Sequence, residues 1–425
     1  MAIARLVSEP AVSDGNREFR RMCWLSWFIG VPRASRSADQ LWGRGVVRKR
    51  NSRSACSGKE DKLALYLPSL RGGGAERVMV TLANSFAERG YEVDLVLASA
   101  EGPYLDEVED GVRVVDLGCP RVRRSLPGLV RYLKRERPRA MLSAMGHANA
   151  IALVARMIAR VPTRLIVSER THFSVSLEQA GGFWARLTGH LGRRIYRRAD
   201  GIIAVSEGVS DDLAVRAGLP RERIEVVFNP AVGRWLEALA AEPANEFWSS
   251  TNGGPLVVAM GRLTEAKDFT TLIRAFALLR EQLSARLVIL GEGPLRGELE
   301  KEAENLGVSS NVYLPGFVDN PFPVITRADL FVLSSAWEGL PNGLIQAMAC
   351  GTPVVSTDCP SGPDEILEGG RWGHLVPVGD ETALAEAMVA TLDECTPPDV
   401  VARAAEFSVD RAADGYLAVM LSNKE

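Results

Sequence analysis

The chain has 425 residues, 46% of them hydrophobic and 24% charged, with a formal net charge of −3. It is too long for one typical domain and apolar enough for two cores. The near-neutral balance supplies no global field for nucleic acid, and Cys23, Cys56, Cys119, Cys350, Cys359 and Cys395 follow neither zinc nor redox spacing, so reduced thiols in the cytoplasm are expected.

Residues 1–60 are dominated by Arg, Ser and Gly and read as a disordered extension or the result of a start codon placed too far upstream. The apolar run 23–31 (CWLSWFIGV) is far shorter than the roughly twenty residues a membrane helix needs, and the mixed segment before it is too long for a signal peptide. Arg20 and Arg21 beside Trp24, Trp27 and Phe28 leave open a membrane-surface anchor.

Residues 61–230 form the first expected domain. Strand-length apolar runs at 63–67, 92–98, 112–117, 140–145, 164–168 and 201–206 alternate with helical stretches, which predicts a parallel sheet covered on both faces. Met79, Leu82, Ala83 and Phe86 recur at helical spacing between the first two runs, so a crossover helix joins them. Just after the first run, Gly72, Gly73 and Gly74 allow close backbone approach at the start of that helix, although Arg77 stands where a dinucleotide-binding fingerprint needs its third glycine. His147 follows the fourth run and Glu169-Arg170 the fifth, which places all three toward a cleft. Arg193, Arg194, Arg197 and Arg198 with Tyr196, and Arg121, Arg123, Arg124 and Arg131, are local cationic groups that read either as solvated faces or as contacts for anionic lipid. Residues 231–254 carry Pro243, Asn245, Asn252 and paired glycines without a clear strand and read as a linker.

A second domain, residues 255–407, repeats the pattern with strand candidates at 256–260, 286–290, 312–314, 329–333, 353–356 and 374–377. The first of these ends in Gly261-Arg262-Leu263-Thr264-Glu265-Ala266-Lys267, before a helix at 268–282 whose Leu272, Ile273, Phe276 and Leu279 make one apolar stripe. Arg262 and Lys267 beyond a strand's carboxyl end suit two phosphates, one cation fork-shaped and the other a point charge. Gly291-Glu292-Gly293 fails the dinucleotide test because Arg296 stands at the third glycine's place. Gly316, Phe317 and Val318 follow a short strand, and Phe317 reads equally well as core.

Then comes Trp337-Glu338-Gly339-Leu340-Pro341-Asn342, placing Glu338 beyond a strand end, Pro341 at a first helical position, and Gln346 in the second turn of a helix that Gly351 stops. The unpaired N–H groups of such a helix start favour an anion. Ser361-Gly362-Pro363-Asp364-Glu365 repeats the loop-to-helix design, with Ser361 or Asp364 as a cap. Helices at 383–392 and 408–421 close the chain.

The 337–351 segment resembles the signature of retaining glycosyltransferases of family 4, in which two glutamates are separated by seven residues; here Gln346 replaces the second. The resemblance covers roughly residues 62–421 and is strongest over 256–378. It implies an α/β chain of the GT-B class, two Rossmann-like doubly wound domains with an interdomain cleft, and a last helix (408–425) crossing back to the first domain. It further implies that Glu338 contacts donor-sugar hydroxyls, that Gln346 accepts a ribose hydrogen bond without a charge, and that Arg262 and Lys267 hold the donor diphosphate. Gly261, Gly339, Leu340, Pro341 and Asn342 would line the donor, and the Gly316–Val318 backbone would read its base. Gly72, Gly73 and Gly74 would lie against phosphate and acceptor, His147 would touch the donor sugar or support the reacting centre, and Glu169 and Arg170 would orient an acceptor or brace the cleft by an ion pair.

The implied reaction moves a hexose or N-acetylhexosamine from a nucleotide diphosphate sugar, UDP-linked, to a lipid-linked or polysaccharide glycan with retention. No cofactor is expected. The sequence has no Asp-x-Asp signature and its four histidines are dispersed, so no metal site is expected either. The partners are then a nucleotide-sugar donor, a glycan or lipid-linked acceptor and an anionic membrane surface, with no nucleic acid, in the cytoplasm or on the inner face of the membrane. A nucleotide-sugar epimerase of the same fold and a catalytically silent nucleotide-sugar-binding partner stay open, the latter because of Gln346.

Overall fold

A computed structural model describes residues 62–171, 195–243 and 254–422. The expected extension 1–60, with its aromatic run, and Arg193 and Arg194 lie outside the described residues.

Seven strands build the first sheet: β1 (Lys62–Leu67), β2 (Glu92–Leu97), β3 (Val112–Asp116), β4 (Ala140–Ala144), β5 (Arg164–Glu169), β6 (Gly201–Ala204) and β7 (Ile224–Val226). All pairs are parallel in the order β3-β2-β1-β4-β5-β6-β7. Every residue of β1 is buried, as a strand sandwiched between helix layers requires. Even Lys62 is buried there, satisfied by Glu136 at 2.8 Å and Glu92 at 3.4 Å. Among the described residues, helices α1 (Gly74–Glu88), α2 (Leu126–Glu136), α3 (Gly146–Ala159) and α4 (Glu207–Ala217) pack on this sheet. The expected stripe Met79, Leu82, Ala83 and Phe86 is the face of α1 that the core takes up. Strand β7 was not expected; three residues at a sheet edge, with only Ile224 buried, leave no periodicity to read.

The expected linker contains a helix, α5 (Arg234–Ala240), because Leu236 and Trp235 have apolar surface to cover. Trp235 meets Phe322 with the rings tilted by 55° and their centroids 5.6 Å apart. The second sheet comprises β8 (Leu256–Met260), β9 (Arg286–Leu290), β10 (Val312–Gly316), β11 (Leu330–Leu333), β12 (Val354–Thr357) and β13 (His374–Val376), parallel in the order β10-β9-β8-β11-β12-β13. Its helices are α6 (Phe269–Gln282), α7 (Arg296–Asn305), α8 (Phe322–Ile325), α9 (Asn342–Ala349), α10 (Pro363–Leu367), α11 (Glu381–Leu392) and α12 (Val400–Ala404). Leu272, Ile273, Phe276 and Leu279 of α6 are all fully buried, and Asp268 caps that helix by accepting from the Thr271 amide.

A final helix, α13 (Val409–Leu421), leaves the second sheet and packs on α1 and on β4 and β5 of the first. Ala413, Tyr416 and Met420 enter that core, while Arg89 pairs with Asp410 and Asp414. The two chain crossings run side by side: the amides of Ala231 and Val232 donate to Phe407 O at 3.0 and 3.1 Å, and that of Val409 to Val232 O at 2.9 Å.

Both sheets reverse strand order between their first and fourth strands, β1/β4 and β8/β11. In open parallel sheets that reversal opens a crevice at the carboxyl ends, where ligands bind. The segments that follow β1, β4, β8 and β11, loop or first helical turn, are those carrying Gly72–Gly74, His147, Gly261–Lys267 and Glu338.

Candidate active site

At the second crevice the β8 and β11 loops are tied together by charge. Lys267 Nζ donates to Glu338 Oε1, which also accepts from Ser335 Oγ at 2.7 Å, whereas Oε2 accepts no hydrogen bond among the described residues. Ser334 Oγ donates to Lys267 O at 2.8 Å, and Ser361 Oγ, from the loop after β12, donates to Glu338 O at 2.9 Å. Gly261 is glycine for a packing reason: a Cβ there would stand 2.9 Å from Lys267 Cε. Arg262 is exposed and makes no ion pair among the described residues, so the structure joins Lys267 to Glu338 but not Arg262 to either. Gly291 and Gly293 let the same loop pass, since a Cβ at Gly291 would meet Gly261 O at 1.9 Å and one at Gly293 would meet Leu263 O at 2.4 Å.

Helix α9 begins beside this pair. Pro341 is its cap position rather than its first residue, and no side chain caps the helix, which leaves its positive end open to an anion. Gln346 is buried, and its side chain makes no hydrogen bond among the described residues. Leu340 is buried, and Gly362, at φ +95°, stacks so closely on Pro341 that a Cβ would lie 2.5 Å from its Cδ. At the end of β10, Gly316 O accepts from the Gly291 amide at 2.9 Å; beyond it Val318 is half-buried and Phe317 is 65% exposed. That exposure removes the core reading of Phe317.

The first crevice is different. Glu76 folds back so that one carboxylate oxygen accepts from both the Gly72 and Gly73 amides, at 2.8 and 2.9 Å. Gly74 faces α9 across the gap: a Cβ on it would lie 3.9 Å from Asn342 Nδ2. Met145, at φ +78°, turns the chain into α3, whose first turn presents His147 at the cleft surface. Protein crowding around the ring desolvates it and pushes its pKa below the ordinary 6.5.

Glu169 and Arg170 are both buried and turn to different partners, and no ion pair joins them among the described residues. Burial raises the Glu169 carboxyl above its usual range, opposed by hydrogen bonds from Tyr196 OH and from Asn149 Nδ2 at 2.9 Å. Tyr196 is therefore interior, not part of a surface cationic patch. Arg170 donates to Asn229 Oδ1 at 2.8 Å and to Tyr416 OH at 3.0 Å, lying 5.9 Å over the Tyr416 ring.

Sequence reasoning missed the seam between the sheets. Ser206 Oγ donates to Gly339 O at 2.8 Å, and Glu365 accepts from the Glu207 and Gly208 amides at 2.7 and 3.0 Å, capping α4 from the other domain. Neither Ser361 nor Asp364 caps its own helix α10; Gly362 is at that position. A Cβ at Gly339 would stand 2.0 Å from Arg170 O, and one at Gly208 2.6 Å from Ser361 Cβ. The only signals for these contacts were Ser206 before a helical run and glycines where a backbone must come close. Among the described residues no three His, Cys, Asp or Glu side chains gather to hold a metal ion, and no helix is long and apolar enough to cross a membrane.

The sequence matches the family Glycosyltransferase Family 4 over residues 72–231 and the family Glycosyl transferases group 1 over 254–394. Over 344 residues it is 30% identical to the N-acetylgalactosamine-N,N'-diacetylbacillosaminyl-diphospho-undecaprenol 4-alpha-N-acetylgalactosaminyltransferase of Campylobacter jejuni, spanning 78% of this chain and 90% of that one. The chain belongs to the family 4 glycosyltransferases. A second relative of this glycosyltransferase, the lipopolysaccharide core biosynthesis glycosyltransferase LpsE of Rhizobium meliloti, is 30% identical over 365 residues, 83% of this chain and 97% of that one. Among solved structures, Anabaena HepE in complex with UDP superposes with a TM-score of 0.70 at 20% identity, covering 85% of this chain and 100% of that one. WaaG, a glycosyltransferase involved in lipopolysaccharide biosynthesis, gives a TM-score of 0.63 at 18% identity over 85% and 100% of the two chains. The shared architecture is the GT-B fold, two Rossmann-like parallel sheets.

Proposed function

We propose that this glycosyltransferase moves a hexose or N-acetylhexosamine from a UDP-sugar to a lipid-linked or polysaccharide glycan, with retention at the anomeric carbon and without a metal ion. The observation that carries the reading is the Lys267–Glu338 pair at the second crevice, beside the uncapped start of α9. Lys267, the exposed Arg262 and the helix terminus would neutralise charge developing on the departing diphosphate, the role a divalent ion fills elsewhere. Glu338 Oε2 is uncommitted and would accept from a sugar hydroxyl, with Oε1 held by Lys267 and Ser335. Gln346 would accept from the ribose through its amide oxygen. The bond from the anomeric carbon to the phosphate oxygen breaks as the acceptor oxygen bonds the same face, and the acceptor's proton passes to the leaving phosphate. No side-chain base is needed.

Support for the donor and acceptor classes comes from the relatives: HepE was crystallised with UDP, and the Campylobacter enzyme is named for transfer of N-acetylgalactosamine to a diphospho-undecaprenol glycan. The test is release of UDP from UDP-glucose, UDP-galactose, UDP-N-acetylglucosamine and UDP-N-acetylgalactosamine, with and without an undecaprenyl-diphosphate glycan, in EDTA. Acceptor-dependent release with an α-linked product by NMR is expected. Epimerised donor without acceptor would instead identify an epimerase, binding without turnover would identify a silent partner, and a β-linked product would remove retention.

A further inference from the structure

Three buried or half-buried polar side chains run from the interior of the first domain to the start of α9. Arg170 Nη1 donates to Asn229 Oδ1 at 2.8 Å, and Asn229 Nδ2 donates to Asn342 Oδ1 at 2.8 Å. Asn342 Nδ2 then has no hydrogen-bond partner among the described residues and points toward the Gly74 backbone, 3.9 Å from where its Cβ would stand. Arg170 and Asn229 are 8% and 6% exposed, so water does not compete for these bonds.

The direction of the chain follows from chemistry alone. A guanidinium donates and never accepts, so the Asn229 atom facing Arg170 has to be its oxygen. Its NH2 group then faces Asn342, which must answer with its own oxygen. What remains, turned into the gap between the crevices, is the Asn342 NH2. A cation fixed in one domain thus dictates that the other domain presents two N–H donors, and not a carbonyl, beside the open helix end.

We propose that Asn342 Nδ2 donates to an anionic oxygen of the donor's diphosphate, and that Arg170 and Asn229 are positioning residues that set the amide's polarity. This rests on reading the second crevice as a nucleotide-sugar pocket. Alanine at Asn229 leaves Asn342 free to present either end. Aspartate at Asn229 does more: having no N–H to offer, it accepts from Asn342 Nδ2 and swings the Asn342 carbonyl toward the phosphate, while its charge pairs with Arg170 and preserves the fold.

UDP is the probe, titrated calorimetrically into wild type, Asn342→Ala, Asn229→Ala, Asn229→Asp and the Asn229→Asp/Asn342→Ala double variant, each checked by thermal melting. Expected losses of UDP affinity are about tenfold for Asn342→Ala, about threefold for Asn229→Ala and tenfold or more for Asn229→Asp, which melts no lower than Asn229→Ala. The double variant should bind no worse than Asn342→Ala alone, because the aspartate acts through the amide it turns. Wild-type affinity in Asn229→Asp overturns the proposal, as does a double variant that loses the full factor of both changes, the mark of plain through-space repulsion. Wild type that binds no UDP would overturn the pocket reading itself, and this inference with it.

Discussion

The two crevices share a topology and differ in what their backbone amides are given to do. In the first, Glu76 occupies the Gly72 and Gly73 N–H groups, so the site a phosphate would take is filled from within. In the second, α9 starts after Pro341 with no capping side chain, and the nearby carboxylate of Glu338 is tied to Lys267. A parallel sheet with a strand-order reversal supplies a place for an anion, but the residues at the helix start decide whether that place is empty. The diphosphate site proposed above is therefore the one at the second sheet, across the gap from the first sheet's glycine loop.

The contrast is broken most severely by removing the charge pair. Lys267→Ala is expected to lower kcat/KM by about 10²–10³-fold, and Glu338→Ala by about 10²-fold, with melting little changed. An undiminished rate in either variant removes that residue from the site. Removing the plug of the first crevice should act on stability instead. Glu76→Ala is expected to cost about 1.5–3 kcal/mol in urea unfolding, the range for hydrogen bonds to a charged group, and to leave UDP affinity within about threefold. If it weakened UDP as much as Lys267→Ala does, the two crevices would be equivalent and the comparison void.

Gln346→Glu restores the charge the family carries at that position, and about a three- to tenfold gain in donor affinity by titration is expected. A pH titration separates the domains another way. Burial pushes the Glu136 carboxyl up, but the hydrogen bond from Lys62 and the charge of Arg113 outweigh it and hold the pKa at about 2, against an ordinary 4.5. The unfolded chain takes up that proton first, so stability present above about pH 4.5 is lost as pH falls toward 2. Glu136→Gln should flatten that acid limb in denaturant unfolding while leaving UDP binding alone. The smallest effect is expected from lipid: salt-sensitive flotation with anionic vesicles, against none with neutral ones, would assign the exposed arginines of the first domain to a membrane surface.

Much of this was legible in the chain. Runs such as LVVAM at 256–260 and LFVL at 330–333 are strand-length and wholly apolar because both sheet faces are covered, and the α6 stripe declares its own period. Glu338 and Lys267 could be placed near one another because both follow strands that flank the same reversal. Arg170 could not be read this way: its partners Asn229 and Tyr416 lie 59 and 246 residues away, and no local pattern encodes such a meeting. Tyr196 misled for a related reason, since it stands among arginines in sequence while its ring is interior. Glu76 was overlooked because a carboxylate beside glycines looks solvated until the loop closes on it.

Gly208 and Gly339 sit on opposite lips of the same seam, each with another chain segment pressed against its Cα. A methyl group at either would work as a doorstop, propping the two lobes apart by roughly its own width. The close approach of the two lobes thus depends on two positions where the smallest side chain of all is the one that lets the jaws meet.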